Sequence, residues 1–299
     1  MENTLSMKNN KKNSLNRLLP ADYVFMVILV IACLTVILPF LNVISISMSS
    51  DNAVVANPAM LLPKEIQFNA YRALLGGWGI WRSIAMTLLY VVIFVALRII
   101  TSLFAGFTLS RHNLPGRKFM LTCLLIPTLF SGGLIPTYLI ISSLGLIDSF
   151  FVFVIPGCVN CFHILLVKTF IRGLPDSVEE AAYLDGAGYI QLLWHVIAPM
   201  SLPVLVTIGM LTAIAKWNDW WPGFMYIQDN LLLLPLQNVV RSLVVEPDVS
   251  MRELDISIAN FSHSFKMATI TVTVFPIMCV YPFVQKYFEQ GMNIGSVKD

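Results

Sequence analysis

Six long apolar runs, separated by polar stretches, organise this chain. They lie at about residues 23–48, 84–109, 119–143, 149–171, 196–216 and 267–288. Each is close to or longer than the about 20 apolar residues a helix needs to cross a bilayer core. None of the six contains an Asp or a Glu. The pattern predicts an all-α polytopic membrane protein with six transmembrane helices.

Composition agrees. Of 299 residues, 57% are hydrophobic and 12% charged, against about 25% charged in a typical soluble domain, and mean hydropathy is +0.76. A net charge of +2 is too small for a nucleic-acid footprint. The first 22 residues form a polar, basic tail. The apolar run after it is too long for a cleaved signal peptide and lacks a small-residue cleavage pattern, so it reads as a retained first span.

Lys and Arg set the orientation. The N-terminal tail carries Lys8, Lys11, Lys12 and Arg17 against Glu2, and the loop "SRHNLPGRK" carries Arg111, Arg117 and Lys118 with no acid. Both are expected in the cytoplasm. Six spans then return the C-terminal tail, residues 291–299, to the same side. The segment 217–265 faces outward, with Arg241 and Arg252 against Asp219, Asp229, Glu246, Asp248, Glu253 and Asp255.

All five cysteines fall in apolar runs rather than outer loops, which argues against a disulfide framework. In "CVNCFH", Phe162 separates Cys161 from His163, so the haem attachment pattern is broken. No second ligand pair for zinc is in view. Buried thiols and a packed His163 are expected.

One polar segment stands out. Residues 175–195, between the fourth and fifth runs, are rich in Ala, Gly and carboxylates. Asp176 or Ser177 can cap a helix there, and Glu179 and Glu180 favour the dipole of its first turn. Gly186 permits a tight turn, and "YIQLLWHVIA" starts a second helix. Ala181, Ala182 and Ala187 allow close packing in a groove, and Glu180 offers a carboxylate to a basic partner. The bland alternative is a pair of interfacial helices with no partner.

The spacing Glu180-Ala181-Ala182, then Asp185-Gly186-Ala187, then Pro199 thirteen residues after Gly186, resembles the EAA loop of ABC-importer membrane subunits. "NAYRALLGGWGIWRSIAMTLLY", "GGLIPTYLIISSLGLIDSF", "WNDWWPGF" and "FVQKYFEQGMNIGSVKD" look like the carbohydrate-importer branch of that family, second-subunit type, and most resemble its lipo- and polysaccharide permease subgroup. Leu193 and Ala198 depart from its usual Phe and Leu. The resemblance implies the type I ABC importer permease fold in a bacterial cell membrane. It implies a second homologous permease subunit, two ATP-binding subunits docked on the loop, an extracellular solute-binding protein and a saccharide cargo. The chain has no G-x-x-x-x-G-K-[ST] and no Gly-Lys dipeptide at all. No cofactor is expected on it, and ATP and Mg belong to the partners.

Trp217, Asn218, Asp219, Trp220, Trp221 and Tyr226 cluster after the fifth run. Aromatic faces and amide or carboxylate groups suit sugars, and an interfacial aromatic belt uses the same residues. Asn160 and His163 are further candidates for the path. The breakers Gly132, Gly133, Pro136 and Pro156 shape either a path or helix packing. Arg98, a charge deep in a span, faces protein or water, or reaches toward the interface. The competing function is an ion-coupled secondary sugar transporter. It would place a carboxylate relay inside the spans, and they hold none. An enzyme is not expected, since neither a zinc motif nor a nucleophile elbow occurs.

Overall fold

The computed structural model describes residues 20–244 and 263–296. The basic tail, the acidic stretch 245–262 and residues 297–299 lie outside the described residues. Every regular element described is helical.

The chain divides into two compact units. The first holds α1 (Pro20–Ser47), α2 (Asp51–Ala56) and the start of the last helix. Helix α1 is apolar on all sides, and most of its side chains are exposed, as befits a helix solvated by lipid. Ser50 caps α2 by accepting from the Ala53 amide. Ile46, Val54 and Met60 make a small core, and Ser264 Oγ donates to the Ser49 carbonyl at 2.9 Å.

The second unit is built on α4 (Trp78–Ser110), which follows the short α3 (Asn69–Gly76). Against α4 pack α7 (Cys161–Arg172) and α10 (Leu202–Trp217). Gly106 is where α4 and α7 come closest. A Cβ there would lie 2.7 Å from Val167 Cγ1 and 3.1 Å from the Lys168 backbone nitrogen. Gly209 of α10 is less tight, facing the flexible tip of Ile99 at 3.1 Å. The core beneath joins Leu103, Val167, Leu192, Ile197 and Ile208, all at most 2% exposed.

Several apolar runs are not straight helices. The run 119–143 is two helices, α5 (Arg117–Leu129) and α6 (Leu134–Ser143), bent by 116°. Pro127 and the pair Gly132–Gly133 flank the break, and proline removes a backbone donor. The run 149–171 begins as a 3₁₀ turn (Phe150–Phe153), and α7 starts only at Cys161. A third bend, 76°, separates α9 (Tyr189–Met200) from α10. In α9, Pro199 cannot bond the His195 carbonyl, and residues Leu193–Ile197 widen into a π turn. Helices α11 (Trp221–Tyr226), α12 (Leu236–Val244) and α13 (His263–Ser296) complete the chain. Among the described residues two helices are long and apolar enough to cross a membrane singly, and each bent pair adds one more if it counts as a single span.

The cysteines depart from expectation. All five are free, but Cys33, Cys123 and Cys279 are exposed and the other two only half-buried. An apolar run turned toward lipid exposes its thiols along with its leucines.

Gly106→Val is expected to destabilise the α4–α7 contact by about 1–3 kcal/mol, since rigid backbone and a β-branched side chain face it. Gly209→Ala should cost less, because Ile99 can turn away. Thermal unfolding of the purified protein in detergent checks the difference.

Candidate translocation cavity and elbow

A cavity of about 740 Å³ lies within the second unit. Its wall includes Phe94 and Arg98 from α4, Asn160 and His163 at the start of α7, and Lys216 through Trp221 with Tyr226 at the end of α10 and in α11, but not Trp217. Of the candidates singled out in the sequence, Asn160, His163, Asn218, Asp219, Trp220, Trp221 and Tyr226 therefore meet here. Trp217 is buried at 7% exposure, and its indole Nε1 has no hydrogen-bond partner among the described residues.

Each wall residue is held by its local structure. Asn160 caps α7, its Oδ1 accepting from the His163 amide at 3.0 Å. His163 Nδ1 lies 3.4 Å from Arg98 Nη1. Arg98 Nη2 also donates to the Gly157 carbonyl, and its guanidinium sits 4.8 Å from the Phe94 ring centre. Asn218 Nδ2 donates to the Ile214 carbonyl at 2.9 Å. Trp220 stacks edge-on against Trp221 and Phe224 and accepts Arg241 over its ring at 4.5 Å. The rings of this cluster are thus in mutual contact.

Lys216 was not singled out by sequence. It is 9% exposed, bonds Asp219 at 2.8 Å, and rests 4.8 Å from the same Phe94 ring. The i,i+3 spacing to Asp219 was readable in "KWND"; the ring beneath was not.

A clasp fixes the rim beside Tyr226. Asp148, at φ +53°, accepts from the amides of Gln228, Asp229 and Asn230 through Oδ1, at 2.7–3.3 Å. Its own amide donates to the Tyr226 carbonyl at 3.0 Å, and Tyr226 stacks on Tyr138 at 5.9 Å. Burial opposes ionisation of Asp148, but the three amides outweigh it and hold the carboxyl below the usual aspartate range.

The elbow lies elsewhere in the same unit. Helix α8 (Asp176–Leu184) begins at Pro175, with no side-chain cap. Neither Asp176 nor Ser177 caps it: the chain turns one residue earlier, so Asp176 joins Glu179 in the first turn. Its C-terminus closes as a Schellman motif. Gly186 N–H bonds the Tyr183 carbonyl and Ala187 N–H the Ala182 carbonyl, both at 3.0 Å, with Gly186 at φ +82°. Gln191 Oε1 then accepts from the Gly188 amide, starting α9. Ala182 packs on the core. Glu180, Ala181, Asp185 and Gly186 are exposed and Ala187 half-buried, and Leu184 is 89% exposed beside exposed Tyr189 and Ile190. Pro199 lies exposed at the far end, in α9. The elbow is tied at its base: Glu179 pairs with Arg111, just beyond α4, and Arg111 lies over Phe107 at 4.3 Å. Arg172 Nε donates to the Ser110 carbonyl at 3.2 Å.

Broken apolar helices around a polar and aromatic cavity, with a rigid elbow exposing apolar groups, define a membrane permease component. The chain belongs to the family of binding-protein-dependent transport system inner membrane components, matched over residues 98–294. The polygalacturonan/rhamnogalacturonan transport system permease protein YtcP of Bacillus subtilis (strain 168) is 32% identical over 92% of this chain and 96% of its own length. Protein LplC of the same organism is 33% identical over 88% of this chain and 89% of its own. A chain from the crystal structure of a bacterial ABC transporter involved in importing the acidic polysaccharide alginate superposes with a TM-score of 0.83 at 31% identity, covering 91% of this chain and 99% of that one.

A carboxyl with a depressed folded pKa adds stability above its unfolded pKa and loses it as pH falls through the folded value. The 228–230 amides should therefore stay protected from exchange down through the ordinary aspartate range and open only in stronger acid. Asp148→Ala should expose them at every pH. Hydrogen exchange, normalised to intrinsic rates, reads both.

Proposed function

We propose that this chain is one permease subunit of an ATP-driven importer of oligosaccharides or polysaccharide fragments. It spans the bacterial cell membrane six times with both termini in the cytoplasm. A second, homologous permease subunit completes the path, an extracellular solute-binding protein delivers the cargo, and two ATP-binding subunits drive the cycle. ATP and Mg are handled by those subunits, and this chain performs no chemistry itself.

The observation that carries the reading is the elbow. A Schellman turn fixes its shape, Arg111–Glu179 couples it to the end of the cavity helix α4, and its exposed Leu184, Tyr189 and Ile190 are apolar groups that a partner would cover. Glu180 is exposed to meet a cation there. In the proposed cycle, closure of the ATP-binding subunits moves the elbow, α4 follows, and the cavity opens alternately to each side. The cargo follows from the wall, where indole and phenol faces stand beside Asn160, Asn218 and Asp219, and from the relatives named for polysaccharide transport.

Gly186 tests the docking. Nothing in this chain lies within 4 Å of a Cβ placed there, and Asp and Asn tolerate its left-handed backbone better than other side chains. Gly186→Asp is therefore expected to leave membrane insertion intact, yet lower ATP-dependent uptake by on the order of tenfold or more, the scale of a lost coupling energy. Undiminished uptake by that variant would count against docking at the elbow.

A further inference from the structure

The cavity wall is unevenly charged. It holds two cations, Arg98 and Lys216, and one carboxylate, Asp219. Lys216 is already paired with Asp219 at 2.8 Å. Arg98 has no carboxylate partner among the described residues. Its Nη2 donates to Gly157 and its Nη1 faces His163, while Nε is buried and unbonded. A guanidinium offers five N–H donors in a planar fork suited to a carboxylate, so a structural role at Gly157 leaves most of that capacity unused.

The two cations also share a support. Each lies 4.8 Å from the Phe94 ring centre, so they are no more than twice that distance apart. Asp219 offsets only one of these two charges, so the wall keeps one uncompensated cation, which an entering anion would balance. The rest of the wall offers aromatic faces, an amide pair and the Tyr226 ring, a surface for sugar rings and hydroxyls rather than for a small inorganic ion.

We propose that Arg98 and Lys216 form a carboxylate subsite, so that the cargo is an oligosaccharide carrying uronate groups. This rests on the importer reading above and adds the charge of the cargo and the residues that select it. Arg98 receives the carboxylate through the N–H groups of Nη1 and Nη2 that are not directed at His163 and Gly157. Lys216, held by Asp219, supplies further ammonium N–H donors across Phe94. Trp220, Trp221 and Tyr226 take the neutral ring faces.

The test uses the complete transporter with its partner subunits in proteoliposomes, supplied with short oligogalacturonates and oligomannuronates and with their methyl esters, which remove the charge but keep the rings. The wild type should take up the acidic forms over the esters by on the order of tenfold or more, the scale of a charged hydrogen bond. Arg98→Gln and Lys216→Gln should each collapse that ratio toward unity, and Arg98→Lys should restore part of it. Lys216→Gln leaves the Gly157 contact untouched, so it carries the test if Arg98→Gln fails to assemble. Equal uptake of acid and ester by the wild type, or a ratio unchanged in the glutamine variants, would overturn the subsite while leaving the importer in place. Absence of ATP-dependent uptake of every saccharide by the assembled wild type would instead overturn the importer reading, and the subsite with it.

Discussion

A backbone carbonyl or amide left unpaired in hydrocarbon costs several kcal/mol, so a chain breaks its helices inside a membrane only where something else completes the bonding. In this protein that service comes from one face of α4. Thr87 accepts the Leu236 amide, Tyr90 donates to the Leu233 carbonyl, Arg98 to Gly157 and Thr101 to Cys158. With Phe94 between them, these positions recur every three or four residues and form a single stripe. The irregular segments before α7 and α12 are pinned to that stripe, and the one before α7 lines the cavity through Val152, Pro156 and Asn160.

The same helix reaches the elbow. From Arg98 to Arg111 is thirteen residues, or about 20 Å of helix. At one end of that stretch Arg98, with Phe94 one turn before it, lines the cavity. Where α4 ends, Ser110 and Arg111 hold Arg172 and Glu179. Tight packing at Gly106 makes α4 and α7 move together, because there is no slack for one to slide on the other. A displacement of the proposed docking surface therefore has a stiff route to the residues proposed to hold cargo, and no flexible linker lies along it.

What the sequence made legible were features with short repeats or local chemistry. Apolar runs, the glycine turn at 186 and the aromatic cluster after residue 217 all depend on neighbours within one or two helical turns. What it hid were relations between distant residues. Lys216 reads as an ordinary charge at a helix end until Phe94 is seen beneath it. Asp148 is unremarkable in its loop, yet three amides some eighty residues away converge on it. Trp217 belonged to the aromatic cluster by spacing but faces protein, since a helix turns each successive residue by about 100°. The bend at Gly132–Gly133 was signalled by its glycines, whereas the one at Ser201 fell inside a run read as a single span, and both angles depend on packing that no local pattern encodes.

Import by this route requires the cavity to change sides when the elbow is driven. A cysteine at Asn218, in a transporter whose native cysteines are replaced, can be probed with a membrane-impermeant thiol reagent added from outside. Labelling that rises on ATP binding and falls after hydrolysis is the predicted result, and loss of that change in the Gly186→Asp variant would tie it to the elbow. Labelling that stays the same in every nucleotide state, with uptake still running, would contradict the account.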